Sequence, residues 1–398
     1  MRIGIYGGTF NPIHNGHITA ARAAAAQLKL DRLLLIPDGD PPHKTMPEGS
    51  PAPQQRLEMV TLATAELGPS ASASDMEVYR TGKSYTSDTL RELHAQYPHD
   101  ELWLLMGSDM FLSLHTWHEP EVILSLASVG AFSRLANGEA EAFAAQKERL
   151  ERQFAAHVET VINREVIELS STEVREALRD GGGEAYLPEA VYGCILREQL
   201  YGTHRDLKDL TPEELRPVAL SYLKPKRMPH VLGTEAEAVR LAERYGADVT
   251  AARIAALLHD CTKKLEMEEQ LALCRQYGIK LDRLEQGAVK LLHSKTGAAV
   301  ARDVFGVSDE VYEAIRWHTT GKANMSLLEK VIYMADYIEP NRDFDGVEEL
   351  RRRTYEDLDR GLLLGLTETI REMEQRGLPV HKNTLEARDD LWKRGVTV

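Results

Sequence analysis

The sequence predicts an α/β unit built on a mainly parallel, Rossmann-like sheet, followed by an all-helical unit. Three observations carry this. Short apolar runs alternate with helical periodicity through residues 1–200, the order that βαβ units produce. A polar, charged, proline-terminated stretch at 201–212 marks a linker. Beyond it, through 213–398, strand-like runs largely stop and helical patterns follow one another.

In the first segment the expected strands are 3–6, 33–37, 102–106, 129–132 and 166–169, with helices at 17–28 and 87–96 between them. In such a sheet ligands sit at the carboxyl ends of the strands. The stretch 41–53, rich in proline with a glycine and a serine, reads as a mobile loop. Lys44 within it is either an exposed turn residue or a group that reaches a nucleotide phosphate. Residues 139–154 are charged and alanine-rich at helical period, a solvated helix, and a helix over 191–200 closes the unit. In the second segment the expected helices are 235–245, 250–259, 268–277, 295–305, 309–317, 327–338 and 360–375.

Composition narrows the function. A chain of 398 residues exceeds one ordinary core, so two domains are expected, and 43% apolar with 28% charged residues is the balance of a globular protein. A net charge of −14 with only 6% aromatic residues argues against coating nucleic acid, and any anionic substrate must be met by specific groups. No window has the roughly 18 uninterrupted apolar residues of a membrane helix, and Met1 leads into a charged residue and a strand, so a cytoplasmic protein without a membrane partner is expected. Cys194, Cys261 and Cys274 are odd in number and lack CxxC spacing, which fits reduced thiols rather than a disulfide framework or a thiolate metal site. Composition leaves a homo-oligomer open.

The first chemical constellation is GGTFNPIHNGH at 7–17, directly after the apolar run Arg2-Ile3-Gly4-Ile5-Tyr6. Gly7 and Gly8 lack Cβ, so backbone can approach a phosphate, and a helix starting near Gly16 aims unsatisfied N–H groups at the same place. His14 and His17 stand three apart on one face of that helix mouth, where imidazole N–H groups meet charge developing on a phosphate. The role read from them is transition-state stabilisation, not covalent attack. Further on, Ser170 with Glu173 makes a capping box, and Ser171, Thr172 and Arg175 offer hydroxyls, helix N–H groups and a guanidinium to a triphosphate. Singly, these are a glycine turn and a capped helix. Together they resemble the HxGH nucleotidyltransferase superfamily, whose signature is a strand, GGTF, His-x-Gly-His and I-S-S-T-x-x-R; Leu169 stands here for the isoleucine.

The resemblance extends to Pro41-Pro42-His43-Lys44, Tyr85-Thr86, Gly107-Ser108-Asp109, Trp117 and Arg134, a set similar to the bacterial nicotinate-nucleotide adenylyltransferases, and it covers about residues 1–200. It implies that ATP, with Mg²⁺, is bound by Gly7, Gly8, Thr9, Phe10, His14, His17, Ser170, Ser171, Thr172 and Arg175. It places nicotinate mononucleotide with Lys44, Tyr85, Thr86, Asp109, Trp117 and Arg134, the tryptophan offering a stacking face. His14, His17, Lys44 and Arg175 would carry the catalysis, giving deamido-NAD and pyrophosphate.

The second constellation begins in RIAALLHD, an amphipathic helix ending in adjacent His259 and Asp260. Adjacent ligands at a helix end can share one cation if other helices supply partners. A lone His-Asp pair is commonly chance. With His230 upstream and Asp336 downstream, the order resembles the HD-domain metal-dependent phosphohydrolase superfamily, which implies His230, His259, Asp260 and Asp336 as metal ligands, with Asp260 also catalytic. His293 and His318 would complete a second metal site or hold phosphates. Imidazole and carboxylate without thiolate suit iron, manganese, cobalt or zinc alike, and Cys261 reads as a buried hydrophobe.

HDCTKK at 259–264 and DYIEPNR at 336–342 are further similar to the bacterial HD hydrolases that split diadenosine tetraphosphate symmetrically into two ADP. Over about residues 210–385 that likeness implies iron, and ADP held among His230, Asp260, Lys263, Lys264, His293, His318, Asp336 and Arg342. Two other readings stand beside it: an HD phosphohydrolase for another nucleotide, and a catalytically silent nucleotide sensor.

Overall fold

The protein is described here by a computed structural model covering residues 1–41, 45–133, 139–162 and 169–397. It forms two compact units, Met1–His204 and Arg205–Val398.

The first unit runs β1 (Arg2–Gly8), α1 (Asn15–Gln27), β2 (Arg32–Pro37), α2 (Pro53–Ala63), β3 (Ala71–Ala73), α3 (Thr86–Gln96), β4 (Glu101–Met106), α4 (Ser108–Ser113), α5 (Pro120–Leu126), β5 (Ser128–Ser133), α6 (Glu139–Phe154), β6 (Val158–Ile162), α7 (Ser171–Arg179) and α8 (Glu189–Arg197). The strands form one sheet in the order β3-β2-β1-β4-β5-β6, with every neighbouring pair parallel. Continuous apolar runs explain the arrangement: Ile3–Tyr6, Leu33–Pro37 and Leu102–Met106 are buried along their lengths, as strands covered by helices on both faces must be. The chain moves outward from β1 in one direction and then starts again at β4, so the switch point lies between the carboxyl ends of these two central strands.

Four of the five expected strands lie in this sheet. The fifth, 166–169, falls on residues 166–168, outside the described residues. β3 and β6 were not legible in the sequence. A three-residue strand has no measurable period, and β6 buries only Val158 and Val161. The loop after β1 is pinned by Arg56 of α2, which is 1% exposed: its Nη1 donates to Thr9 O (2.6 Å) and Asp38 Oδ1 (2.8 Å), and its Nη2 to Asp38 O (2.7 Å). A guanidinium so deeply buried would cost several kcal/mol without such partners. Tyr201 and Thr203, at the start of the stretch read as a linker, are buried in this unit, where Tyr201 Oη donates to Asn11 Oδ1 (2.9 Å).

The second unit is helical among its described residues: α9 (Pro212–Ser221), α10 (Met228–Tyr245), α11 (Val249–Leu258), α12 (Met267–Gln276), α13 (Val289–Phe305), α14 (Asp309–Trp317), α15 (Leu327–Ile338), α16 (Val347–Glu356), α17 (Leu358–Gln375) and α18 (Lys382–Lys393). Two helices start earlier than the sequence predicts, α10 at 228 rather than 235 and α13 at 289 rather than 295. Each carries an internal glycine that marks close packing. A Cβ on Gly297 would touch His259 O at 3.4 Å and Thr262 Oγ1 at 3.5 Å, so α13 lies against the turn that carries His259 and Asp260. The polar helices α9, α16 and α18 were not expected; α9 is set by a Thr211/Glu214 capping box with Pro212 at its first position.

Candidate active sites

In the first unit, exposed Gly7 is the last residue but one of β1, and its added Cβ would meet nothing closer than Ile36 O at 4.0 Å. Backbone there is open to a ligand. Phe10 turns the chain with φ 45° and packs edge-on against Tyr6 and His17, at ring-centroid distances of 5.6 and 5.2 Å. His14 then caps α1, extended at φ −145° and ψ 172°, and its carbonyl accepts from His17 N–H (2.9 Å). The His14 N–H donates in turn to His17 Nδ1 (3.2 Å), and the two rings lie 3.8 Å apart.

That backbone bond fixes the chemistry of His17. With Nδ1 accepting, a neutral imidazole carries its proton on Nε2. Burial lowers the pKa of His14 to about 4, and burial together with the neighbouring His14 holds His17 well below the ordinary value. Both rings are therefore neutral donors near pH 7, and His14 Nδ1 is buried without a hydrogen-bond partner.

Helix α7 closes on this loop. Ser170 and Glu173 form the expected capping box. Ser171 Oγ donates to Pro12 O (3.2 Å), Arg175 Nη1 to Asn11 O (2.7 Å) and Arg175 Nη2 to Thr172 Oγ1 (3.0 Å). Arg175 was expected to face a triphosphate; Nη1 instead fastens α7 to the loop and Nη2 is held within α7 by Thr172, which leaves the rest of the fork for a ligand. Thr9 is also engaged, its Oγ1 donating to Asp38 Oδ2 (2.9 Å).

The residues expected on the pyridine-nucleotide side cluster at the starts of α3 and α4. Tyr85 caps α3 beside Thr86, and its ring stacks on His118 at 4.3 Å, next to half-buried Trp117. Trp117 Nε1 donates to Ser113 Oγ (3.4 Å) of α4, whose first turn holds exposed Asp109 just past β4. Lys44 and Arg134, with Pro42 and His43, lie outside the described residues. The sequence reading missed Arg56, Asp38, Asn11 and His118; Arg56 had no signal beyond a charge at helical spacing.

In the second unit, α10, the end of α11 and α15 bring the four predicted ligands together, and α13 and the end of α14 add His293 and His318. His230 Nε2 stands 3.0 Å from Asp336 Oδ1 and 3.4 Å from His259 Nε2, and His259 Nε2 lies 3.5 Å from Asp260 Oδ2. On the other side of Asp260, His293 Nε2 is 3.2 Å and His318 Nε2 3.8 Å from Oδ1, and these two nitrogens are 3.0 Å apart. Asp260 thus touches two histidine groups, one with each oxygen.

The outer contacts orient these rings. Nδ1–H of His259 donates to Ala256 O (2.6 Å), and Nδ1–H of His318 donates to Ile315 O (2.7 Å). A carbonyl only accepts, so in both rings Nε2 presents a lone pair. Burial lowers His259, and takes His293 and His318 to about 4. Burial alone would raise Asp260 and Asp336. Instead His259, His293 and Lys263 hold Asp260, and His230, His259 and Arg342 hold Asp336, well below the usual carboxylate range. Lone pairs therefore face ionised carboxylates, and Asp260 Oδ1 is buried with no hydrogen-bond donor. A divalent cation resolves that repulsion, and the donor set fits one.

Three cations line the cluster. Lys263 Nζ lies 2.9 Å from His293 Nε2, and Arg342 Nη2 donates to Asp336 Oδ1 (2.7 Å). Arg227, three residues before His230 and unread in the sequence, donates from Nε to Asp260 Oδ2 (2.5 Å). Lys264 is half-buried at the next position along from Lys263. A separate trio, Asp282, Glu285 and His381, has comparable spacing. There, however, His381 Nδ1 accepts from Asn383 N–H (3.2 Å), so Nε2 carries the proton, and Lys295 Nζ sits 2.5 Å from Glu285 Oε1. That trio is an ion-paired tether and does not fit a cation.

Residues 5–177 match the cytidylyltransferase-like family, and residues 227–341 match the HD domain. The fold and its two sites therefore define a nucleotidyltransferase-type unit followed by an HD unit. The probable nicotinate-nucleotide adenylyltransferase of Citrifermentans bemidjiense is 39% identical, across 50% of this chain and 98% of that protein. The symmetrical bis(5′-nucleosyl)-tetraphosphatase of Halalkalibacterium halodurans is 41% identical, across 44% of this chain and 96% of that protein. A crystal structure of a predicted HD superfamily hydrolase involved in NAD metabolism from Clostridium acetobutylicum is 43% identical, covering 46% of this chain and 98% of that one, with a TM-score of 0.45. The chain belongs to the nicotinate-nucleotide adenylyltransferase family through its first unit and to the HD-domain family through its second. No described helix is long and apolar enough to cross a membrane.

The lowered pKa of His14 has a consequence for stability. Between pH 6.5 and about 4 the unfolded chain protonates this side chain and the folded chain does not, so stability is lost as pH falls through that window. Urea unfolding at pH 7 and pH 5 should show a loss of ~2 kcal/mol from this group, and His14→Gln should remove that part. An unchanged pH slope in the variant would place the His14 ring in a solvated setting.

Proposed function

We propose that the chain carries two activities: adenylyl transfer from ATP to nicotinate mononucleotide, assigned to residues 1–200, and metal-dependent symmetrical hydrolysis of diadenosine tetraphosphate, assigned to 213–398. The observation that carries the first is the His14–His17 pair at the mouth of α1, beside open Gly7 at the sheet's switch point. A phosphate oxygen of nicotinate mononucleotide attacks the α-phosphorus of ATP; the bond to the oxygen bridging to the β-phosphorus breaks, and pyrophosphate leaves. The chain needs no nucleophile of its own. The Nε2–H of His17, the first-turn amides of α1 and α7 and the remaining Arg175 donors meet the charge on the phosphoryl oxygens. Mg²⁺ arriving with ATP would mask the β and γ oxygens. Tyr85, Thr86, Asp109 and Trp117 serve the pyridine nucleotide, with Lys44 and Arg134 assigned there from the sequence.

For the second activity, the support is Asp260 shared between two histidine groups, with three cations beside it. His230, His259, Asp260 and Asp336 would hold a divalent metal, iron by family likeness, which supplies charge that acidifies water and polarises a phosphoryl group. His293, His318, Lys263, Arg227 and Arg342 would bind the polyphosphate. Water adds to a phosphorus at the centre of the chain, the central P–O–P bond breaks, and two ADP result.

His17→Ala should lower adenylyl transfer by ~10²-fold or more, the scale of a lost oxyanion donor; turnover near that of the parent chain would remove His17 from the mechanism. In the same chain, diadenosine tetraphosphate with iron or manganese should give ADP as sole product, and Asp260→Asn should abolish it. ATP plus AMP as products, or no cleavage, would overturn the second assignment.

A further inference from the structure

The three histidines of the second unit with defined outer bonds are not held alike. His259 and His318 donate to backbone carbonyls, whereas His230 Nδ1–H donates to a side chain, Glu339 Oε1 (3.0 Å). Glu339 is 1% exposed and lies just past α15. Its other oxygen, Oε2, accepts from Asn341 N–H (2.7 Å) and Asn341 Nδ2 (2.9 Å), and the same amide donates to Pro229 O (2.9 Å) beside His230. Arg351 fixes the turn from outside, donating to Ile338 O (2.9 Å) and Glu339 O (2.8 Å).

This arrangement also explains the glycine inside α10. A methyl group built on Gly233 would collide with Glu339 Oε2 and stand 2.8 Å from Asn341 Nδ2. The carboxylate, at the end of a flexible side chain, is the atom group that would have to leave. Glycine in a helix interior is destabilising relative to alanine, and here its absent Cβ makes the seat for Glu339.

Resting on the reading that this cluster holds a divalent cation, we propose that Glu339 is a positioning residue for the metal site, seated by Gly233 and Asn341, which aims the His230 lone pair and strengthens it as a donor. A carboxylate partner keeps the proton on Nδ1 and fixes the ring so that the Nε2 lone pair faces the cation. The His230 limb therefore sets the grip on the cation.

Manganese binding to the metal-depleted full chain, followed by titration calorimetry, tests this. Glu339→Gln, which keeps the shape and loses the charge, should weaken binding ~10–100-fold, and Gly233→Ala should weaken it similarly. Gly233→Ala on a Glu339→Ala background should add no further loss, because the two act through one contact. If the parent chain binds manganese and Glu339→Gln binds it equally well, or the double variant loses as much as the two singles multiplied, the proposal falls while the metal reading stands. A parent chain that binds no manganese overturns both.

Discussion

The chemistry of both units depends on one constraint: a helix end decides which nitrogen of a nearby histidine carries the proton. At a helix amino end the spare backbone groups are N–H donors, and at a carboxyl end they are C=O acceptors. The His14 N–H at the start of α1 obliges His17 Nδ1 to accept, so its Nε2–H faces outward as a donor, suited to an anion. The carbonyls of Ala256 and Ile315 in the last turns of α11 and α14 oblige His259 and His318 to donate from Nδ1, so Nε2 faces outward as a lone pair, suited to a cation. The same residue type thus serves transferred phosphate in one unit and a metal in the other. His381 shows the rule by contrast, since Asn383 N–H puts its proton on Nε2, 3.3 Å from each of two carboxylates that would otherwise resemble a cation site.

Burial makes the constraint effective. An exposed imidazole would titrate near neutral pH and lose its assigned tautomer, whereas His14, His293 and His318 are held to about 4. The chain as a whole is strongly anionic at −14, yet its candidate sites are ringed by guanidinium and ammonium groups tied to carboxylates or carbonyls: Arg175 and Arg56 in one unit, Arg227, Lys263 and Arg342 in the other. Those tethers keep the cations in place in a chain whose overall field repels phosphate.

The parts legible in the sequence were those with a local signature. Strands buried on both faces announced themselves as apolar runs, the capping box at Ser170 as its four-residue pattern, and the histidines as HNGH and HD. What was illegible depends on tertiary contact. β6 carries too few buried residues to show a period, and Gly233, inside α10 but before its expected start, and Gly297 take their meaning only when Glu339 and the His259 turn are seen against them. Glu339 lay inside DYIEPNR, and Arg227 only three residues before His230. Nothing in spacing distinguishes a charge that grips a ligand from one that meets solvent, and only burial and distance separated them.

The most direct test of the helix-end rule is nitrogen-15 NMR of the histidine rings in the metal-free, ligand-free chain near pH 7. His17 should carry its proton on Nε2, while His259 and His318 carry theirs on Nδ1. All three rings in the same tautomer, or His17 protonated on Nδ1, would contradict the shared origin of the two sites.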